Sequence, residues 1–181
     1  MKNLCRCLCI TVMLGLPLVS QAQAKLRSVT KVIYGDTLEL DGGEVVRLIG
    51  AAAPKFKPDQ LKPDGSPKHP NSANAGFVKR SKVFTEGVIQ GQKVWIEYGQ
   101  QKIYEGQTWV FLFFKLDSSK MVGGGGSRPL LTTGSYMLNR LLVQYGMATA
   151  DNPFPFKYRS QFKQLQQEAQ MGQVGLYQDN F

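Results

Sequence analysis

The sequence predicts an α+β chain: a five-stranded, partly open Greek-key barrel with three helices packed on it. Three observations predict it. Two β-rich apolar runs flank Asp41-Gly42-Gly43, and Asp-Gly between such runs marks a hairpin, because the turn needs positive φ and glycine adopts it at no steric cost. The predicted elements follow in the order three strands, helix, two strands, two helices, which suits this architecture. The strands also supply alternating inward residues, as a small closed barrel requires.

Residues 1–24 read as a secretory signal: Lys2 and Arg6 at the start, an apolar run from Leu8 to Val19, and an Ala-x-Ala ending at Ala24. The run is well short of the ~20 residues that cross a bilayer, so cleavage is expected rather than anchoring. Residues 25–181 then form one domain in a secreted or periplasmic location. All three cysteines, Cys5, Cys7 and Cys9, fall within the signal. The remaining chain has no disulfide framework, which excludes a thiol enzyme or a cysteine metal site. Its 20 basic and 13 acidic residues leave +7 of the full chain's +9. Such a surface favours nucleic acid, anionic lipid or cell-wall polymers without choosing among them.

Residues 27–33 and 36–40 read as two strands or one long bent strand, and 44–49 as the next. Residues 50–70 form a basic loop whose five prolines forbid a helix, expected to lie exposed and mobile beside the hairpin. Residues 71–90 read as a helix capped by Asn71 or Ser72, with Phe77, Phe84 and Val88 on one face and Gly91 ending it. Residues 93–98 and 107–116 read as strands joined by a turn holding Gly99 and Tyr104-Glu105-Gly106. Residues 117–133 include four consecutive glycines from Gly123 and are expected to be a flexible loop. Residues 135–145 and 158–171 read as helices, with Leu138, Leu141, Leu142 and Tyr145 on one stripe and Tyr158, Phe162, Leu165 and Ala169 on the other. The whole is an OB-fold arrangement.

Gly35-Asp36-Thr37, Arg47-Leu48 and Pro54, with the run Asn-Arg-Leu-Leu-Val-Gln-Tyr-Gly-Met-Ala from Asn139, resemble the staphylococcal nuclease (thermonuclease) family over most of the domain. The resemblance implies a calcium site of two aspartates and a backbone carbonyl, a glutamate that helps water attack phosphorus, and two arginines that hold the phosphate. Carried onto this chain, Asp36 is the first ligand, Arg47 the first arginine and Ala53 the carbonyl. Ala52 stands where the second aspartate is expected, Lys55 where the glutamate is, and Gln107 nearest the second arginine. The family's five side chains sum to minus one, whereas Asp36, Arg47 and Lys55 sum to plus one. A charged lysine has three donors and no acceptor, so it takes no proton from water. Loss of a general base alone typically lowers rate ~10²–10⁴-fold. The centre is therefore expected to be catalytically defunct, with no cofactor, and Ca²⁺ only if hydrolysis survives.

Arg47, Lys55 and Tyr104 are the candidate anion-binding residues. Lys55 is expected to pair with Asp36 or to join Arg47 on a phosphate; the alternative is that Asp36 and Arg47 brace the hairpin and Lys55 is solvated. Asp59, Asp64 and His69 offer a rearranged site, but His69 reads as an exposed loop residue. Tyr34, Phe56, Tyr98 and Tyr104 are candidates for stacking bases, worth ~1–3 kcal/mol each, while Trp95, Trp109, Phe111 and Phe113 read as core. Three functions follow: a binding module for nucleic acid or another phosphate-bearing anion, a divalent-metal-dependent nuclease or phosphodiesterase with a rearranged site, and an envelope protein-interaction domain without an anion site.

Overall fold

The computed structural model describes residues 26–122 and 129–178. The expected signal and the glycine run at 123–126 lie outside the described residues. β1 (Arg27–Tyr34), β2 (Thr37–Leu40) and β3 (Val45–Leu48) are followed by α1 (Ala73–Ile89), then β4 (Lys93–Tyr104) and β5 (Gln107–Leu116). After these come a short ribbon of β6 (Lys120–Met121) and β7 (Leu130–Leu131), then β8 (Gly134–Met137), α2 (Leu138–Gln144) and α3 (Arg159–Met171).

The main sheet runs β3-β2-β1-β4-β5-β8 and closes into a ring where β3 and β5 pair in parallel, from Val46↔Thr108 to Leu48↔Val110. β8 extends the sheet beyond the ring of β1 to β5, which makes the OB-fold barrel. Its narrowest seam is β1–β4, held by Arg27↔Val94 and Ser28↔Lys93. Period-two alternation sends Leu38, Leu40, Val46, Leu48, Val94, Val110, Leu112 and Phe114 inward, and all are buried. Phe84, Val88 and Ile89 of α1 and Leu138 and Leu142 of α2 join the same core. Each such side chain contributes roughly 1.5–3 kcal/mol on burial.

Several local expectations change. β1 and β2 are not one bent strand; they form a tight hairpin, Tyr34↔Thr37, whose two-residue turn is Gly35-Asp36. β4 continues past Gly99 through an irregularity to Tyr104, and the turn to β5 is Glu105-Gly106, both at positive φ. That geometry matches the twist of the flanking strands. Residues 135–137 are a strand, not the start of a helix, because Tyr136 pairs opposite Phe114 and stacks on it at 5.6 Å. The helix begins at Leu138. Ser72, not Asn71, caps α1, accepting from the Ala75 amide at 3.3 Å. The buried stripe of α1 passes through Ala75, Val78, Ser81, Phe84 and Val88, leaving Phe77 to one side under Arg80. The 50–70 loop holds a short 3₁₀ turn, Pro58–Gln60, and buries Ala51 and Ala53, so its first part is packed against the barrel. The flanks of the glycine run pair as the β6–β7 ribbon.

A buried polar side chain joins α2 to the barrel. Asn139 is fully buried; its Oδ1 accepts from the Leu112 amide at 2.9 Å, and its Nδ2 donates to Ile49 O at 2.9 Å and Val110 O at 3.0 Å. It ties α2 to the end of β3 and to β5 together.

Candidate functional site

Asp36 lies in the β1–β2 turn, where Gly35 permits a close approach to α1. A methyl group on Gly35 would lie 1.9 Å from Ser81 Oγ and 3.1 Å from the Ala53 methyl. The Gly35 carbonyl accepts from Thr85 Oγ1 at 2.8 Å. The turn is thereby pressed onto the helix, and the Asp36 carboxylate is driven under the surface, 0% exposed. A buried carboxylate stays charged only if it is paired and hydrogen-bonded. Its Oδ2 accepts from Lys55 Nζ at 2.8 Å and from the Ala53 amide at 3.2 Å, and its Oδ1 accepts from Thr37 Oγ1 at 2.8 Å.

Arg47 approaches the same carboxylate from β3, with Nε 3.7 Å from Oδ2. That distance is an ion pair without a hydrogen bond, and Nε is buried with no hydrogen-bond partner among the described residues. The guanidinium lies over the Trp109 ring at 4.6 Å and donates from Nη1 to Gln107 Oε1 at 3.3 Å. Lys55 stands 5.8 Å from the Tyr34 ring centre. Burial holds its amine below the ordinary lysine range; Asp36 pulls the other way, and Arg47 adds to the lowering.

The structure therefore brings Asp36, Arg47, Lys55, Tyr34 and Gln107 together. Tyr104 sits at the end of β4 with its ring against Trp109 and Phe154. Asp59, Asp64 and His69 are exposed on the loop, and Asp64 accepts from its neighbour Ser66. Trp109 and Phe111 are core residues, while Trp95 and Phe113 stack half-buried on each other at 5.8 Å. Sequence reasoning missed two things: Trp109 as the plate beneath Arg47, and the Ala53 amide as a donor to Asp36. The register Arg47↔Trp109 carries the first, and it becomes readable only once β3 and β5 are known to pair.

The donor set does not fit a calcium ion. Calcium takes six to eight oxygens and prefers carboxylates. Asp36 offers the one carboxylate here, both its oxygens already accept hydrogen bonds, and two cationic side chains lie within 4 Å of it. Among the described residues no group of three or more His, Cys, Asp or Glu comes together to hold an ion.

Residues 45–179 match the family model for staphylococcal nuclease homologue. The chain belongs to that family. The match opens at β3, so Arg47, Ala52, Lys55 and Gln107 lie within it and Asp36 just before it. No curated protein matches the chain. Among the described residues no helix is long and apolar enough to cross a membrane.

Proposed function

We propose that this member of the staphylococcal nuclease family binds a phosphate-bearing polyanion, nucleic acid above all, without cutting it, and that it works outside the cytoplasm once residues 1–24 are removed. The observation that carries the reading is the 2.8 Å contact from Lys55 Nζ to a fully buried Asp36. The chain supplies its own cation where the family resemblance implies a metal, and no carboxylate is left to act as a base. With Arg47 beside them the three side chains sum to plus one. The Arg47 side chain, 29% exposed and with its guanidinium braced on Trp109, is open to a phosphate oxygen, and arginine is suited to that ligand because its planar fork matches phosphate geometry.

The test uses the purified chain from Lys25 onward. Incubated with plasmid and Ca²⁺, Mg²⁺ or Mn²⁺ in turn, it is expected to leave the DNA intact. On immobilised single-stranded DNA it is expected to be retained and to elute as salt rises, with Arg47→Ala eluting earlier. Divalent-dependent cleavage that Asp36→Asn abolishes would overturn the proposal in favour of a nuclease with a rearranged site.

A further inference from the structure

A second site lies apart from Asp36, between β8 and α2. β8 ends the main sheet: β5 pairs along one side of it, and among the described residues no strand pairs along the other. A groove of about 610 Å³ touches Ser135, Tyr136 and Met137 in succession. Side chains of consecutive strand residues point to opposite faces, so a groove that meets all three reaches the open edge of the strand; Phe113 of β5, the cross-strand partner of Met137, also lines it. Arg140 and Gln144, four apart on one face of α2, line it too, with Tyr145 just past the end of the helix. Buried Leu131 and Leu141 also line it.

Two features say what such a groove accepts. A bare strand edge presents unpaired backbone N–H and C=O groups, the template on which an extended peptide adds as a further strand. Arg140 is the only formally charged residue in the lining; it is exposed and has no ion-pair or hydrogen-bond partner among the described residues. A guanidinium facing an otherwise neutral groove favours a carboxylate on the occupant. We propose that this groove binds an extended peptide segment of a partner protein, laid along β8 as an added strand, with an acidic side chain or a C-terminal carboxylate paired to Arg140. The site is independent of the anion-binding reading, since it shares no residue with the Asp36 centre.

The test begins with random peptides displayed with free C termini and selected against the chain from Lys25 onward. The most enriched peptide is then synthesised and titrated into ¹⁵N-labelled protein. The expected peptides carry an acid at a fixed position, and the largest amide shifts fall on β8 and Arg140. Arg140→Glu is expected to weaken binding about tenfold or more, and replacing the peptide's acid with lysine is expected to restore it. N-methylating one alternating set of peptide amides is expected to abolish binding while the other set is tolerated, which is the signature of strand addition. The idea fails if no peptide is enriched, if the shifts fall elsewhere, if both N-methylated sets bind equally, or if Arg140→Glu leaves affinity unchanged.

Discussion

Lys55 reaches a fully buried carboxylate from a partly exposed position, and that asymmetry sets what its removal does. Lys55→Met strips the strongest donor from Asp36 and leaves the Ala53 amide, Thr37 and the more distant Arg47. Breaking a fully buried pair costs about 3–5 kcal/mol. The Lys55 side chain is 26% exposed and two hydrogen bonds remain, so about 2 kcal/mol is expected, read from the urea midpoint at neutral pH. The titration of Lys55 adds a sign. Its folded value lies below the ordinary 10.5, so between the two the unfolded chain holds a proton that the folded chain has released. Stability from this group therefore rises with pH through that window. Lys55→Met removes the rise, and the gap between wild type and variant is expected to widen as pH approaches 10.5. The paired substitution Ala52→Asp with Lys55→Glu restores the two acids that the family resemblance implies. Calorimetry is expected to show calcium binding in the double variant and none in the wild type; equal heats from both would sink the account of the site. DNA cleavage by the double variant is expected to stay weak, because Gln107 stands nearest the position to which the family resemblance assigns a second arginine, whose charge typically contributes ~10³–10⁵ in rate.

Elements meet through single residues whose importance the sequence shows unevenly. Gly35 was readable as part of Gly-Asp-Thr, but not as the point where the β1–β2 turn touches α1. Gly35→Ala puts a methyl 1.9 Å from Ser81 Oγ, and overpacking of this kind costs about 1–3 kcal/mol. Ser81→Ala removes the obstructing hydroxyl, itself buried without a hydrogen-bond partner among the described residues, so it is expected to be near neutral alone and to relieve much of the Gly35→Ala penalty. Additive thermal shifts in the double variant would refute that contact. Asn139 was legible only as one letter of a motif. Its role depends on the parallel meeting of β3 and β5, which no local pattern announces. Asn139→Leu keeps the volume but strands the Leu112 amide and the Ile49 carbonyl, each with a desolvation cost of about 1–3 kcal/mol, while Val110 O keeps the Ile49 amide at 3.0 Å. A loss of roughly 3 kcal/mol or more is expected by denaturant titration. β1 to β5, α1 and α3 were readable because alternation and helical stripes are local, whereas β6 and β7 fell within the stretch read as a loop. Residues 135–137 were misassigned because Leu138, Leu141 and Leu142 set a helical period that extrapolates backwards, whereas the stacking of Tyr136 on Phe114 is a long-range event.

At the scale of the molecule, charge excess and barrel geometry together decide how the anion reading is to be tested. The chain from Lys25 carries +7, so some retention on DNA is expected from net charge alone, and retention by itself does not single out the site. The salt slope does. Each phosphate neutralised on a single strand contributes about 0.7 to the slope of log K against log salt. Arg47 lies near the Tyr104 end of the β4–β5 hairpin, through its register with Trp109, whereas Lys93 begins β4 at the opposite end and donates to Ser28 at 2.8 Å. Arg47→Gln and Lys93→Gln remove the same charge from the two ends of one barrel. If the phosphate is held at Arg47 and Lys55, the first lowers the slope by about 0.7 and the affinity with it, while the second changes neither by more than screening at a distance allows. Equal changes from both would show binding to the charged surface at large, and the paired Lys55–Asp36 centre would then be a brace for the β1–β2 turn instead of a ligand site.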